Sequence, residues 1–312
     1  MNKLSNLLGI EYPIIMAPMF LVSNTKMVIE ACNNGIAGAI PALNFRTDEE
    51  FRTAIKEMQA NCNGPIGINL IVNKSNPKVA KQLQTSVELG VDFILTSLGS
   101  PAEVIKACKP KGIKVLCDVV DLKFALKVEK LGADAIIAVN NQAGGHKGNL
   151  SAEELIPLLV KNCNIPVISA GGVGNKKELD YMLSLGASGV SVGSIFIASE
   201  ESPVSKEYKE ACVNYGAKDI VMSTKISGTP CTVINTPYVS KIGTKQSWLE
   251  QFLSKNKNLK KWVKMFTFVK GMKSIEKAAF GATYKTVWVA GTTIENTTEI
   301  KPLKQIISSL IK

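Results

Sequence analysis

Apolar residues along this chain gather in short continuous runs, and each run is entered in one of two ways. At Asn34-Gly35-Ile36, Leu89-Gly90-Val91, Lys111-Gly112-Ile113, Leu131-Gly132-Ala133 and Leu185-Gly186-Ala187, a stretch with helical polar and apolar spacing ends in glycine, and small or β-branched apolar residues follow. That is the pattern of a helix C-cap leading into a buried strand. Three further runs begin at proline, where the first residue of a strand tolerates the missing N–H: Pro13-Ile14-Ile15-Met16, Pro65-Ile66-Gly67-Ile68-Asn69-Leu70 and Pro166-Val167-Ile168-Ser169. The starts lie near residues 13, 35, 65, 90, 112, 132, 166 and 186, and each gap has room for one helix. Thr47-x-x-Glu50 and Ser151-x-x-Glu154 predict capping boxes, and Pro77 and Pro101 predict first helical turns.

Strands that are apolar throughout and alternate with helices predict a parallel sheet covered on its faces. Eight such units fit a closed (β/α)8 TIM barrel better than an open sheet. An open doubly wound sheet would carry a glycine fingerprint after its first strand. This chain instead runs into Met16-Ala17-Pro18-Met19, whose proline and bulky methionines leave no room for a pyrophosphate at a helix N-terminus. The alternation stops after Ala198. The expected organisation is therefore a barrel over residues 1–199, a helical Lys-rich insertion or lid over 200–285, and a C-terminal segment, 286–312, packing back on the barrel.

Composition sharpens this in three places. With 312 residues, 46% hydrophobic and 20% charged, the chain buries a large core. It has no run of the ~18 apolar residues that a membrane span needs, and its first residues lack a secretory h-region, so a cytoplasmic protein is expected. The seven cysteines are dispersed without a Cys-x-x-Cys pair, which argues against a disulfide framework or zinc knuckle. The net charge of +11 is local, since residues 241–285 hold eleven lysines against Glu250 and Glu276. There Trp248, Phe252, Leu259, Trp262, Phe266 and Val269 recur at helical spacing, an apolar stripe on helices whose other face is lysine. No nucleic-acid motif or base-stacking platform accompanies the patch, so nucleic acid is not an expected partner.

Function in a barrel belongs at the C-terminal ends of the strands. Strand seven is followed by Ser169-Ala170-Gly171-Gly172-Val173-Gly174, and strand eight ends in Val192-Gly193-Ser194. Bared amides and a hydroxyl on these two loops predict a phosphate nest. After strand six, Gly144 and Gly145 precede His146, the sole histidine of the chain. A flat ligand can approach backbone there while an imidazole exchanges protons. Asn69 and Asp118 offer polar groups at the ends of strands three and five. One histidine excludes a multi-His metal site, and so few acid–base groups point to a cofactor for demanding chemistry.

These residues resemble the FMN-dependent nitronate monooxygenases, formerly 2-nitropropane dioxygenases, and less closely the flavin-dependent enoyl-acyl carrier protein reductases. The resemblance runs through Tyr12-Pro-Ile-Ile-Met-Ala-Pro-Met19, Pro65-Ile-Gly-Ile-Asn-Leu70, Ala143-Gly-Gly-His-Lys-Gly148, Pro166-Val-Ile-Ser-Ala-Gly-Gly172, Val192-Gly-Ser-Ile-Phe196 and Trp288-Val-Ala-Gly291, in the family's order. It implies that Ala17, Pro18 and Met19 line the flavin, that Asn69 and Asp118 meet its polar edge, and that Gly144 and Gly145 admit it. Ser169, Gly171, Gly172, Gly193 and Ser194 would hold its phosphate. His146 would be the base that takes the α-proton of a nitroalkane, after which FMN and dioxygen convert the nitronate to a carbonyl compound and nitrite. Two positions depart from the pattern. Gly193-Ser194-Ile195-Phe196 replaces the family's Gly-Thr-Arg-Phe, and Val139 stands where relatives carry Gln. The alternative is a reductase using NAD(P)H on an enoyl-acyl carrier protein or a quinone, with the lysine patch steering an acidic carrier protein.

Overall fold

The computed structural model describes residues 3–73, 76–224, 229–245 and 287–312. Eight parallel strands close on themselves: β1 (Ile14–Met16), β2 (Ala37–Pro41), β3 (Ile66–Ile71), β4 (Phe93–Ser97), β5 (Lys114–Val119), β6 (Ala135–Val139), β7 (Val167–Ala170) and β8 (Val190–Val192). Closure is made by β1 on β8, with Ile15 opposite Ser191 and Met16 opposite Val192. The chain is thus a (β/α)8 barrel. Between strands lie α2 (Thr25–Asn33), α3 (Asp48–Asn61), α4 (Val79–Leu89), α5 (Ala102–Cys108), α6 (Leu122–Leu131), α7 (Ala152–Asn162) and α8 (Lys176–Ser184), after a leading α1 (Lys3–Leu8).

The capping boxes and glycine stops are found as expected, whereas the two prolines stand just outside their helices, Pro101 as the N-cap of α5 and Pro77 one residue before Lys78, the N-cap of α4. Thr47 and Ser151 cap α3 and α7 with reciprocal bonds to Glu50 and Glu154. Gly90 and Gly132 end α4 and α6 with φ of +65° and +94°, a conformation in which any Cβ would crowd the following carbonyl.

Two cores follow from the period-two alternation of the strands. Inward residues Ile15, Ala37, Ala39, Phe93, Leu95, Leu116, Ala135, Ile137 and Ile168 fill the barrel, and Leu4 and Leu8 of α1 plug its N-terminal end. Gly67 permits this filling, because a Cβ there would lie 2.3 Å from the Phe93 ring. Outward residues such as Met16, Ile68, Ile94, Val115, Ile136 and Val190 pack against the helices. Each fully buried side chain of this size contributes about 1.5–3 kcal/mol.

After β8 comes a 3-10 turn (Ser194–Phe196), then α9 (Lys206–Asn214), β9 (Ile220–Ser223), β10 (Cys231–Ile234) and α10 (Pro237–Ile242). The insertion is therefore not purely helical: β9 and β10 pair antiparallel, with Val233 opposite Val221. β10 is buried throughout, and Val233 also bridges to Val289 of the tail, so two neighbours satisfy a β-branched run that gains more there than in a helix. Tyr208 of α9 stacks on Trp288, with ring centres 5.6 Å apart, and its hydroxyl donates to the Val289 carbonyl at 2.5 Å. The tail ends in α11 (Leu303–Ile311), whose Leu303, Ile307 and Leu310 are buried in the outer core. The apolar stripe from Trp248 to Val269 and the patch lysines from Lys255 to Lys285 lie outside the described residues.

Candidate active site at the barrel mouth

The last inward position of each strand sets the floor of the mouth. Two residues beyond Ile15, Ala39, Leu95, Leu116, Ile137 and Ile168, the same parity places Ala17, Pro41, Ser97, Asp118, Val139 and Ala170. Asn69 shares the inward face of β3 with Gly67, and Gly193 follows Ser191 on β8.

On one side of this ring the strand ends are polar and linked. The Asn69 amide donates to Ser97 Oγ at 2.9 Å and to the Leu95 carbonyl at 3.4 Å, and Ser97 Oγ donates to Asp118 Oδ2 at 2.5 Å. Three neighbouring strands are thus joined by a directed chain ending on a carboxylate. Asp118 counts as exposed by surface area yet titrates as a buried group, its carboxyl pushed up to about 6 by burial and partly held down by the Ser97 hydroxyl. Both hold for a group at the floor of a concavity, reached by solvent from above and crowded by protein elsewhere. His146 shows the same combination, exposed in area while burial lowers its pKa, which keeps the imidazole neutral at pH 7.

The loop that carries His146 is tied down at several points. Asn140 is fully buried, its side-chain amide donates to the Gly171 carbonyl at 3.0 Å, and its Oδ1 accepts from the Gln142 amide at 2.8 Å. The Asn140 carbonyl also accepts from Gly148 N at 3.2 Å, closing the loop on itself. β10 grips it from above: Gly145 N donates to Thr232 Oγ1 at 2.7 Å, and Thr232 N donates to the Gly145 carbonyl at 2.9 Å. The post-barrel segment therefore fixes the backbone next to the imidazole.

On the other side the ring is small. Ala17, Met19 and Gly193 meet, with a Cβ on Gly193 lying 3.4 Å from Met19 Sδ and 3.6 Å from the Ala17 Cβ. Pro18 stands half-exposed between Ala17 and Met19. Gly171 and Gly172 turn the chain at the end of β7 with φ of +108° and +79°. Gly171 presses so closely on the His146 loop that a Cβ would lie 2.4 Å from Ala143 N and from Asn140 Oδ1. Gly144 comes equally close to the tail, its Cβ position being 2.9 Å from Gly291 N and from Ser194 Oγ.

Two nominated side chains take other places. Ser169 is outward on β7, between the inward Ile168 and Ala170, and its hydroxyl donates to Met182 Sδ of α8 at 3.4 Å. Only its backbone is available to the mouth. Ser194 Oγ is buried and accepts from Gly291 N at 2.8 Å, keeping its own proton to donate. Ser97, Asn140 and Thr232 were not foreseen from the sequence. Ser97 carried no usable signal, since both faces of β4 are apolar and its parity with Phe93 and Leu95 points inward only once the barrel is seen.

Among the described residues no group of His, Cys, Asp and Glu could hold a metal ion, and no helix is long and apolar enough to cross a membrane. The whole chain, residues 1–312, matches the nitronate monooxygenase family, and the protein belongs to it. It is 27% identical over 285 residues to a probable nitronate monooxygenase of Staphylococcus aureus, covering 77% of this chain and 80% of that one. It is 28% identical over 241 residues to a (3aS,4S,5R,7aS)-5-hydroxy-7a-methyl-1-oxo-octahydro-1H-indene-4-carboxyl-CoA dehydrogenase of Rhodococcus jostii, covering 77% of this chain and 67% of that one. Among solved structures, FabK from Thermotoga maritima superposes with a TM-score of 0.86 at 28% identity, over 100% of this chain and 95% of that one. A nitroalkane oxidase from Streptomyces ansochromogenes, 19% identical with a TM-score of 0.79, shares the fold. Family and relatives make the chain an oxidoreductase.

Proposed function

We propose that this protein binds FMN across the barrel mouth and oxidises alkyl nitronates with dioxygen to a carbonyl compound and nitrite, accepting neutral nitroalkanes that His146 deprotonates. The observation that carries the reading is the chain's one histidine on a pinned, glycine-bearing loop at the rim of the mouth. The residues present suit the cofactor. Ala17, Ala170 and Gly193 leave space for a flat ring, Asn69, Ser97 and Asp118 supply donors and acceptors for its polar edge, and the turns at Gly171, Gly172 and Gly193-Ser194 suit a phosphate. When bound, the flavin supplies the electron transfer that these side chains cannot.

His146 does the proton work. Burial disfavours the imidazolium, which favours the neutral, proton-accepting form that removal of the α-proton requires. Thr232 and Asn140 hold the loop backbone still while this happens. The reading places the enzyme in the cytosol, with a small-molecule substrate and dioxygen as its partners.

A second reading is favoured by the fit to FabK and by the thioester in the dehydrogenase relative's name: a flavin reductase using NAD(P)H on an enoyl-acyl carrier protein or quinone. Anaerobic mixing separates the two. Bleaching of the bound flavin by a propyl nitronate and not by NADH is expected, and rapid bleaching by NADH alone would reverse the choice. A His146→Asn variant should retain flavin and lose activity on neutral nitroalkanes about 100-fold or more, with far less loss on pre-formed nitronates. Equal loss on both substrates would remove His146 from the role of base.

A further inference from the structure

All seven cysteines are free thiols. Burial holds most of them inert, pushing Cys108 and Cys231 up to about 12 and Cys117 up to about 11. Cys32 and Cys62 differ because they face each other. Cys32 is the penultimate residue of α2 and is buried, while Cys62 is the half-buried C-cap of α3. Both lie at the N-terminal end of the barrel, opposite the mouth, where these helices turn into β2 and β3.

The contact is built by the chain around Cys62. Asn33 Nδ2 donates to the Asn61 carbonyl at 3.0 Å, and Asn63 N donates to Asn33 Oδ1 at 2.8 Å, so one amide clamps both neighbours of Cys62 beside Cys32. The next residue continues across the same spot, a Cβ on Gly64 lying 3.6 Å from Cys32 Cβ. Cys32 Sγ donates to the Pro65 carbonyl at 3.2 Å, which holds its sulfur against the segment that follows Cys62. The neighbouring Cys32 thiol holds Cys62 below its usual range and Cys62 raises Cys32, while the nearby Asp92 carboxylate opposes a thiolate at either.

A built-in comparison isolates the effect. Cys163 is the C-cap of α7 in the same extended backbone, with φ of −117° and ψ of 145° against −92° and 135° for Cys62, and it too is half-buried. It has no thiol facing it, and its pKa is raised by burial and by Glu129.

We propose that Cys32 and Cys62 form a reversible disulfide site, with Cys62 as the attacking thiol and low-molecular-weight disulfides as the oxidant. The Cys62 thiolate attacks one sulfur of oxidised glutathione, making a mixed disulfide and releasing one glutathione thiolate. Cys32 then attacks the Cys62 sulfur and its proton passes to the departing glutathione, which leaves as the thiol as the protein disulfide closes. Two protein thiols are oxidised and one small disulfide is reduced. The bridge would tie the end of α2 to the end of α3 without touching the mouth.

The test uses the full-length protein. Native alkylation with N-ethylmaleimide at pH 7 should modify Cys62 about 10-fold or more faster than Cys163. After treatment with oxidised glutathione, denaturation and alkylation, peptide masses should show Cys32 linked to Cys62, with the link removed by dithiothreitol. Cys32→Ser should trap one glutathione on Cys62. Equal alkylation rates at Cys62 and Cys163 overturn the proposal, as does accumulation of glutathione on wild-type Cys62 with no internal link. Both readouts come from the wild-type chain and do not depend on a variant folding.

Discussion

Around the mouth, β3, β4 and β5 carry Asn69, Ser97 and Asp118 near their C-terminal ends, whereas β7 ends in Ala170 and β8 and β1 run directly into Gly193 and Ala17. The first arc presents side chains joined into one hydrogen-bonded chain. The second presents backbone, because residues without bulk leave amides and turns as the nearest groups to a ligand proposed there. Side-chain recognition can be altered one atom at a time. Backbone recognition depends on the chain path, and the path here is set by contacts between loops, such as Gly171 against Asn140 and Ala143. The two arcs should therefore respond differently to substitution, abruptly on the backbone side and gradually on the other.

The largest effect is expected at Gly171. A Cβ there meets backbone nitrogen and a fully buried side chain at 2.4 Å, and the residue sits at φ +108°. Neither neighbour can yield without moving the loop that carries His146. Gly171→Ala should cost ~3 kcal/mol or more and release the flavin. Gly172→Ala is the control, since its Cβ would meet the far end of the exposed Gln142 side chain, which can swing away. It should cost only the ~1 kcal/mol of an alanine at positive φ. Thermal denaturation with flavin absorbance decides the matter, and equal losses at the two positions would mean that the β6–β7 loop contact does not set the path.

Asp118 offers the next largest effect. Its folded carboxyl stays protonated up to about 6, whereas an unfolded aspartate ionises near ~3.9. The stability this gives is complete below the lower value and is lost as pH rises through 6. Asp118→Asn cannot ionise, so relative to wild type its melting temperature should climb between pH 4 and pH 6.5 and then level off. Parallel curves over that range would show that Asp118 titrates like an open surface carboxylate and would remove it from the floor of the mouth.

The eight strand starts were legible because each is marked by a residue with a backbone reason to be there, a capping glycine or an entry proline, followed by a run that only a sheet buried on both faces tolerates. The same feature hid the orientation of Ser169. In a strand apolar on both faces, sequence does not say which parity points inward, and Ser169 turned out to face Met182. Gly144, Gly145, His146 and Asp118 were readable as residues at strand ends. Thr232 was not, because it lies 87 residues from Gly145, on a β10 strand in a segment read as helix. Ser97 went unread because a serine at a strand end is ordinary until its partners, Asn69 and Asp118, are seen on either side of it.

The smallest effect is expected next to Ser97, on the gradual side of the mouth. Leu98 has φ of +61° and is 46% exposed, so it carries the strain of a left-handed backbone with little burial to offset it. Elsewhere in this chain such φ values fall to glycine, with Leu21 as the other exception among the described residues. Leu98→Gly should relieve about 1 kcal/mol of strain and lose part of that to the added freedom of the unfolded chain, leaving a net gain under ~1 kcal/mol. If the variant is instead less stable, the exposed leucine is packing against something and the strain is being held there by contact. If it is more stable but binds substrate less tightly at unchanged flavin content, the strained leucine is part of the substrate's surface at the mouth, and the side-chain arc extends one residue beyond the Ser97–Asp118 link.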